Sequence, residues 1–149
     1  MSAKSLSPRE LRVWQAFVAM GEDVLERVGT DIAKATGLSG PEFSVLSRLA
    51  AFGKGEMRQQ ELATVMGWEK SRLSHQLSRM QRRKLIERFS GDGRATLVVL
   101  TRIGREMLEH ALPVRANSVR RNLLSRLTSE QIDTIIRVSN LLSDEEDPI

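Results

Sequence analysis

Between Trp68 and Arg94 the chain carries eight cationic side chains (Lys70, Arg72, Arg79, Arg82, Arg83, Lys84, Arg88 and Arg94) against three anionic ones, Glu69, Glu87 and Asp92. The whole 149-residue chain has a formal net charge of +4, so this segment holds +5 and the remainder sums to −1. A basic footprint confined to one stretch is the electrostatic signature of a polyanionic partner. On its own, a charge run is a solvated helix face. What changes its weight is the spacing of the residues between the charges. Leu73, Leu77 and Met80 recur at i, i+4 and i+7, the buried stripe of a helix. That leaves Lys70, Ser71, Arg72, Ser74 and His75 outward near the helix start. These are cationic or small polar side chains that donate hydrogen bonds to base edges and phosphates. Arg79, Arg82 and Arg83 lie further along and suit phosphates.

Other chemistries find no support. The chain has no cysteine, which excludes disulfides, thiolate metal ligands and thiol redox sensing. His75 and His110 fall on different helices. His110 has Glu106 and Glu109 nearby, but a solvent or contact role outweighs a histidine–carboxylate metal site. Gly91-Asp92-Gly93 lacks the Lys-Ser/Thr and following helix of a phosphate loop. Glu145 and Glu146 sit in a polar tail. No nucleophile stands at a meaningful spacing from a base. We therefore expect no enzyme, no cofactor and no metal. No apolar run approaches the length of a membrane span, and residues 1–10 lack a signal-peptide h-region, so the expected location is cytoplasmic.

The elements that must position the basic face can be read along the chain. Ser7-Pro8-Arg9-Glu10 is a helix start with a capping box and an early proline. The helix that follows carries Leu11, Trp14, Val18, Gly21, Leu25, Val28 and Ile32 along a narrow seam and stops at Thr36-Gly37. Such a seam suits packing on a partner helix as well as on the chain's own core. Ser39 to Glu42 starts a second helix bearing Phe43, Val45, Leu46, Leu49 and Phe52. A short third covers about residues 58–66 and is broken by Gly67. The basic helix runs from residue 68 or 69 to about 84. Two strands follow, Ile86 to Phe89 and Ala95 to Leu100, joined through an Asp-Gly turn. Thr101 caps a fifth helix, in which Pro113 is expected to introduce a kink before the helix resumes through Leu127. Thr128 to Gln131 forms another capping box and opens a last helix.

Helix, glycine turn, helix and hairpin in that order make a winged helix-turn-helix, whose second helix enters the major groove while the first crosses the backbone. Arg94 sits alone at the hairpin tip, shaped to enter a minor groove. Arg58 and Gln59, at the start of the third helix, join the phosphate set.

Several motifs resemble the MarR family of winged-helix regulators. These are Glu61-Leu62-Ala63 through Met66-Gly67, Ser71-Arg72-Leu73-Ser74, Leu77-Ser78-Arg79-Met80, Leu85-Ile86-Glu87-Arg88, Asp92-Gly93-Arg94 and Leu100-Thr101-Arg102-Ile103-Gly104. The resemblance runs from about residue 11 to 142. It implies a mainly α fold with a small β-hairpin wing (α+β), with N- and C-terminal dimerisation helices at about 7–36 and 102–143 around a winged-helix lobe at about 40–101. It also implies a homodimer on a pseudo-palindromic operator in double-stranded DNA, Arg94 as the wing arginine, and Asp92 ordering the wing. Two departures stand out. Arg58 replaces a capping threonine, and Trp68-Glu69-Lys70 replaces small polar residues before the recognition helix, so base preference does not transfer. Trp68 either packs under that turn or lies near a ligand.

The resemblance further implies release by a small aromatic or amphipathic effector. A cleft at the kinked fifth helix is the expected place, with Trp14, Phe17, Arg12 and Arg48 as candidate contacts and Phe43 and Phe52 filling the core. The alternative function is a winged-helix protein that binds a protein or an RNA.

Overall fold

The computed structural model describes residues 5–91 and 95–143. The chain folds as two compact units, one formed by residues 29–115 and one by 1–28 with 116–149. In chain order the elements are α1 (Pro8–Thr36), α2 (Gly40–Gly53), β1 (Glu56–Arg58), α3 (Gln59–Met66), α4 (Lys70–Arg82), β2 (Ile86–Ser90), β3 (Thr96–Leu100), α5 (Arg102–Asn122), a 3₁₀ turn at Leu124–Arg126, and α6 (Ser129–Leu142).

In the unit of residues 29–115, each helix start is set by local chemistry. At α2 the Ser39 hydroxyl accepts from the Glu42 N–H at 3.2 Å and the Glu42 carboxylate accepts from the Ser39 N–H at 2.9 Å. The reciprocal pair satisfies donors that a helix N-terminus otherwise leaves open. α2 ends with Lys54 in the left-handed region, and Gly55, at φ +99°, turns the chain into β1. The core comprises Leu38, Val45, Leu46, Leu49, Leu62, Leu73, Leu77, Met80, Leu85, Ile86 and Val98, all fully buried or nearly so.

The sheet has three antiparallel strands in the order β1-β3-β2. The hairpin is legible in the sequence, and β1 is not. Three residues are too few to display an alternating pattern, and Glu56–Arg58 is a strand only because Val99, Val98 and Leu97 stand opposite. Phe52 is a second correction. It is 63% exposed, whereas Phe43 is buried. The Met57 side chain closes that end of the core at Gly53, and Phe52 is left outside with the Arg48 guanidinium 5.9 Å from its ring centroid.

Thr101 ties the sheet to α5. Its hydroxyl shares its proton between the carbonyls of Lys84 and Leu85, at 2.6 and 3.0 Å, and accepts from the Gly104 N–H at 3.0 Å. The helix is continuous through Pro113. It does not extend to Leu127, as the apolar spacing suggested. Leu123 leaves helical geometry at φ −127° and ψ −68°, while the Asn122 amide bonds back to the Ser118 carbonyl and hydroxyl, both at 3.0 Å.

The other unit is made of the start of α1, the end of α5, the 3₁₀ turn and α6. Capping boxes start both of its helices, Ser7 with Glu10 and Thr128 with Gln131. Hydrogen bonds from Ser7, its backbone N–H first and its hydroxyl second, hold the Glu10 carboxyl below the usual carboxylate range. No α6 residue is fully buried. Phe17 and Met20 of α1 line an apolar groove with Ile135, Val138 and Leu142 of α6.

Candidate nucleic-acid interface

The turn between α3 and α4 is fixed by backbone bonding. Gly67 takes the left-handed conformation at φ +65°, its N–H reaches the Thr64 carbonyl at 3.1 Å, and the Trp68 N–H reaches the Ala63 carbonyl at 3.1 Å. This closes the C-terminus of α3 with glycine at the position where an L side chain is strained. α3 itself starts without a side-chain cap, since Arg58 offers none, and α4 starts at Glu69 in the same way.

α4 packs against α2, α3 and β2. Leu73, Gln76, Leu77 and Met80 are buried, and Lys70, Ser71, Arg72, His75, Arg79 and Arg82 are exposed, with Ser74 half-buried. The sequence-derived division of this helix into an apolar and a basic face therefore holds. Gln76 was not foreseen on the buried side. Its side-chain oxygen accepts from Arg79 at 2.6 Å, which answers the polar group.

Three further cations have partners within the lobe, and one of them, Arg83, belongs to the expected phosphate set. Arg83 donates to both carboxylate oxygens of Glu42 at 2.5 and 2.6 Å and reaches the Gly37 carbonyl at 3.5 Å. Glu42 is 5% exposed, so its charge needs this partner. The pair clamps the end of α4 to the start of α2. Arg88 bonds Gln81 and Ser78, each at 2.9 Å, fastening α4 to β2. Arg105 is held against Gly55, where an added Cβ would meet its guanidinium. None of these pairings has a local sequence signal, because the partners are brought together by folding.

Arg58 and Gln59 are neighbours in sequence but serve different surfaces. Gln59 lines a concavity with Gln60, Lys70 and Thr96 between the starts of α3, α4 and β3. Arg58 lines another with Phe89, Gly91 and Leu97, in the sheet row where Arg58 and Phe89 both pair with Leu97. Asp92 and Arg94 lie outside the described residues. The nearest described rung of the hairpin is Ser90 opposite Thr96, with their hydroxyls 3.1 Å apart.

Trp68 is half-buried, and the guanidinium carbon of Arg72 sits 4.0 Å from its ring centroid. Among the described residues, no group of three His, Asp or Glu is placed to hold a metal. Of the candidate effector contacts, Arg12, Trp14 and Phe17 belong to one unit and Arg48 to the other. Trp14 and Phe17 stack with centroids 6.3 Å apart, and Arg48 covers Phe52.

A helix–turn–helix followed by an antiparallel wing sheet, with the cationic face on the second helix, defines a winged-helix protein. A model of the MarR family matches residues 36–95. Among solved structures, AbsC, a MarR family transcriptional regulator from Streptomyces coelicolor, is 27% identical with a TM-score of 0.82, covering 91% of this chain and 93% of its own. Sco3205, a MarR family transcriptional regulator from the same organism solved in complex with DNA, is 24% identical with a TM-score of 0.86, covering 97% and 95%. RdhR, an organohalide-sensing transcriptional regulator in its 2,4-dichlorophenol-bound form, is 17% identical with a TM-score of 0.78, covering 95% and 86%. A search of curated proteins finds no match. The chain is thus similar to MarR family transcriptional regulators, to the family model over residues 36–95 and to AbsC over most of its length.

Proposed function

We propose that this protein is a sequence-specific duplex-DNA-binding transcription regulator, acting as a repressor, that grips a pseudo-palindromic operator as a homodimer in the cytoplasm. The observation that carries this reading is the exposed row Lys70, Ser71, Arg72, His75, Arg79 and Arg82 on α4, held outward by a buried stripe. Relatives of the same fold include one solved with DNA, and no described helix is long and apolar enough to cross a membrane. The direct test is titration of the full chain against duplex DNA from upstream of its own gene. Binding should be sequence-selective and fall steeply with salt, with a log–log slope of about −0.9 per neutralised phosphate. Equal affinity for an RNA hairpin and for the duplex would overturn the assignment.

Arg94 is the proposed wing contact, with Asp92 ordering the wing. Arg94→Ala should cost about 1–3 kcal/mol of operator affinity per half-site while leaving melting temperature and oligomeric state unchanged. A gel-shift titration that shows wild-type affinity for this variant removes the wing from the interface.

The homodimer is supported by what the terminal helices leave wet. In α1, Val13, Trp14, Phe17, Met20 and Leu25 are all more than half exposed, and in α6 so are Ile136, Leu141 and Leu142. Contiguous apolar surface of this extent marks an interaction site. A second copy would cover it and set two recognition helices about 34 Å apart, one turn of DNA. Light scattering at micromolar concentration should return twice the chain mass, and a monomer mass would refute the claim.

Release by a small aromatic or amphipathic anion is the finer part of the proposal. The dichlorophenol-bound relative and the exposed Trp14–Phe17 pair support it, with Arg12 of the same unit as candidate partner for the charge. Such a ligand must favour one spacing of the two DNA-binding lobes, since only differential affinity shifts a conformational equilibrium. A panel of salicylate-like and phenolic compounds should contain a member that raises melting temperature and weakens DNA binding. A panel without effect on either would make the protein a constitutive binder.

A further inference from the structure

We propose that Trp68 is a positioning residue for base recognition: its indole holds Arg72 as the guanine reader of each half-site. This rests on the DNA-binding reading above and adds to it which arginine reads, which base it selects, and what aims it.

Arginines on and beside the recognition helix use their donors in different ways. A guanidinium offers five N–H donors along its edge and a flat face above and below. Arg79 gives an edge donor to Gln76, Arg83 gives edge donors to Glu42, and Arg88 gives edge donors to Gln81 and Ser78. Arg72 is held differently. Its guanidinium carbon lies 4.0 Å from the centroid of the Trp68 ring, and among the described residues no carboxylate pairs with it. Stacking on an indole uses the face of the guanidinium and leaves the edge free. An arginine edge fits the O6 and N7 acceptors of guanine bidentately.

The stack is anchored. Trp68 directly follows the left-handed Gly67, and its N–H is bonded to the Ala63 carbonyl at 3.1 Å. The ring therefore starts from backbone fixed by the end of α3. Arg72 lies in the first turn of α4, exposed, in the part of a recognition helix that meets base edges. An unrestrained arginine loses rotamer freedom when it docks, and Trp68 has already removed part of that freedom. Tryptophan at this turn is one of the chain's departures from the small polar residues of the family it resembles, so the pairing belongs to this chain's own base preference.

The test is selection from a randomised duplex pool by the full-length protein and by the variants Arg72→Ala, Trp68→Phe, Trp68→Leu and Trp68→Leu/Arg72→Ala. The wild type should enrich guanine at one symmetry-related position in each half-site. Arg72→Ala should lower that preference by about 5- to 150-fold, the range for a bidentate base contact, and leave the other positions alone. Trp68→Leu keeps an apolar side chain but removes the ring, and should lower the same preference by about two- to tenfold. Trp68→Phe should retain most of the preference, and the double variant should be no worse than Arg72→Ala at that position. The readout is a ratio between bases within one protein, so a loss of stability in the Trp68 variants does not produce it. If Trp68→Leu lowers affinity uniformly, or alters a different position from Arg72→Ala, the positioning role is wrong. If the wild type enriches a motif and Arg72→Ala leaves every position intact, Arg72 is not the reader, while the DNA-binding reading stands. If the wild type enriches nothing, both fall.

Discussion

Leu77→Ala is expected to destabilise the fold by about 2–5 kcal/mol, the range for truncating a buried leucine. Leu77 is fully buried, as are Leu73 and Met80 on the same face. It lies midway along α4, where that helix meets the rest of its unit through α2, α3 and β2. The lost side chain would leave a void that flanking elements cannot close without breaking the clamps at Arg83–Glu42 and Arg88–Ser78. Denaturant unfolding of the full chain checks this, with Arg72→Ala as the contrast. Arg72 is exposed, and its removal should stay within about 0.5 kcal/mol of wild type, as for ordinary surface substitutions. If Arg72→Ala proves the more destabilising of the two, the inward and outward faces of α4 are reversed.

Gly104→Ala should be comparably severe although it adds a single methyl group. A Cβ at that position would run into the backbone carbonyl oxygen of Leu85 and come within 3.0 Å of a Leu100 methyl group. Gly104 is an ordinary helical residue whose φ needs no glycine. The requirement is space, where the first turn of α5 presses on the chain entering β2. The obstacle is backbone, and the Leu85 carbonyl already accepts from the Thr101 N–H at 3.2 Å and from its hydroxyl. Relief requires prising α5 from the sheet, at a cost of about 3 kcal/mol, the upper end for overpacking. Thermal melting of Gly104→Ala against Thr101→Ala separates the two parts of this junction. A wild-type melting temperature for Gly104→Ala would show that the contact is looser than its geometry.

The Leu-Thr-x-x-Gly run was visible in the sequence as a motif, yet the sequence supplies only half of its explanation. Thr101 as a cap is local chemistry, readable from a hydroxyl placed three residues before an open N–H. The need for glycine at 104 comes from Leu85, a residue that no local pattern relates to it. The same division runs through the rest of the chain. The helix start at Ser39 and the capping boxes at Ser7 and Thr128 were legible because each rests on residues three apart. The apolar stripe of α4 was legible because helical periodicity is local. β1 was not, since its three residues become a strand only by pairing with β3. Phe52 was assigned to the core on spacing alone, but the end of α2 is closed by Met57 from a different element.

By itself, then, the sequence determined the order of helices and hairpin, the glycine turn at Gly67, the face of α4 that is buried and the face that carries its charge. Those properties follow from steric and hydrogen-bonding preferences acting over a few residues. Which cations remain available was decided by the tertiary structure alone. Arg83 and Arg72 are the same residue type on the same stretch of chain, yet one has its donors occupied by a buried carboxylate 41 residues away and the other lies over an indole, with no carboxylate paired to it among the described residues. Charge is a property of the residue. The direction in which its donors point depends on the partners that folding brings within about 3 Å, the span of a hydrogen bond.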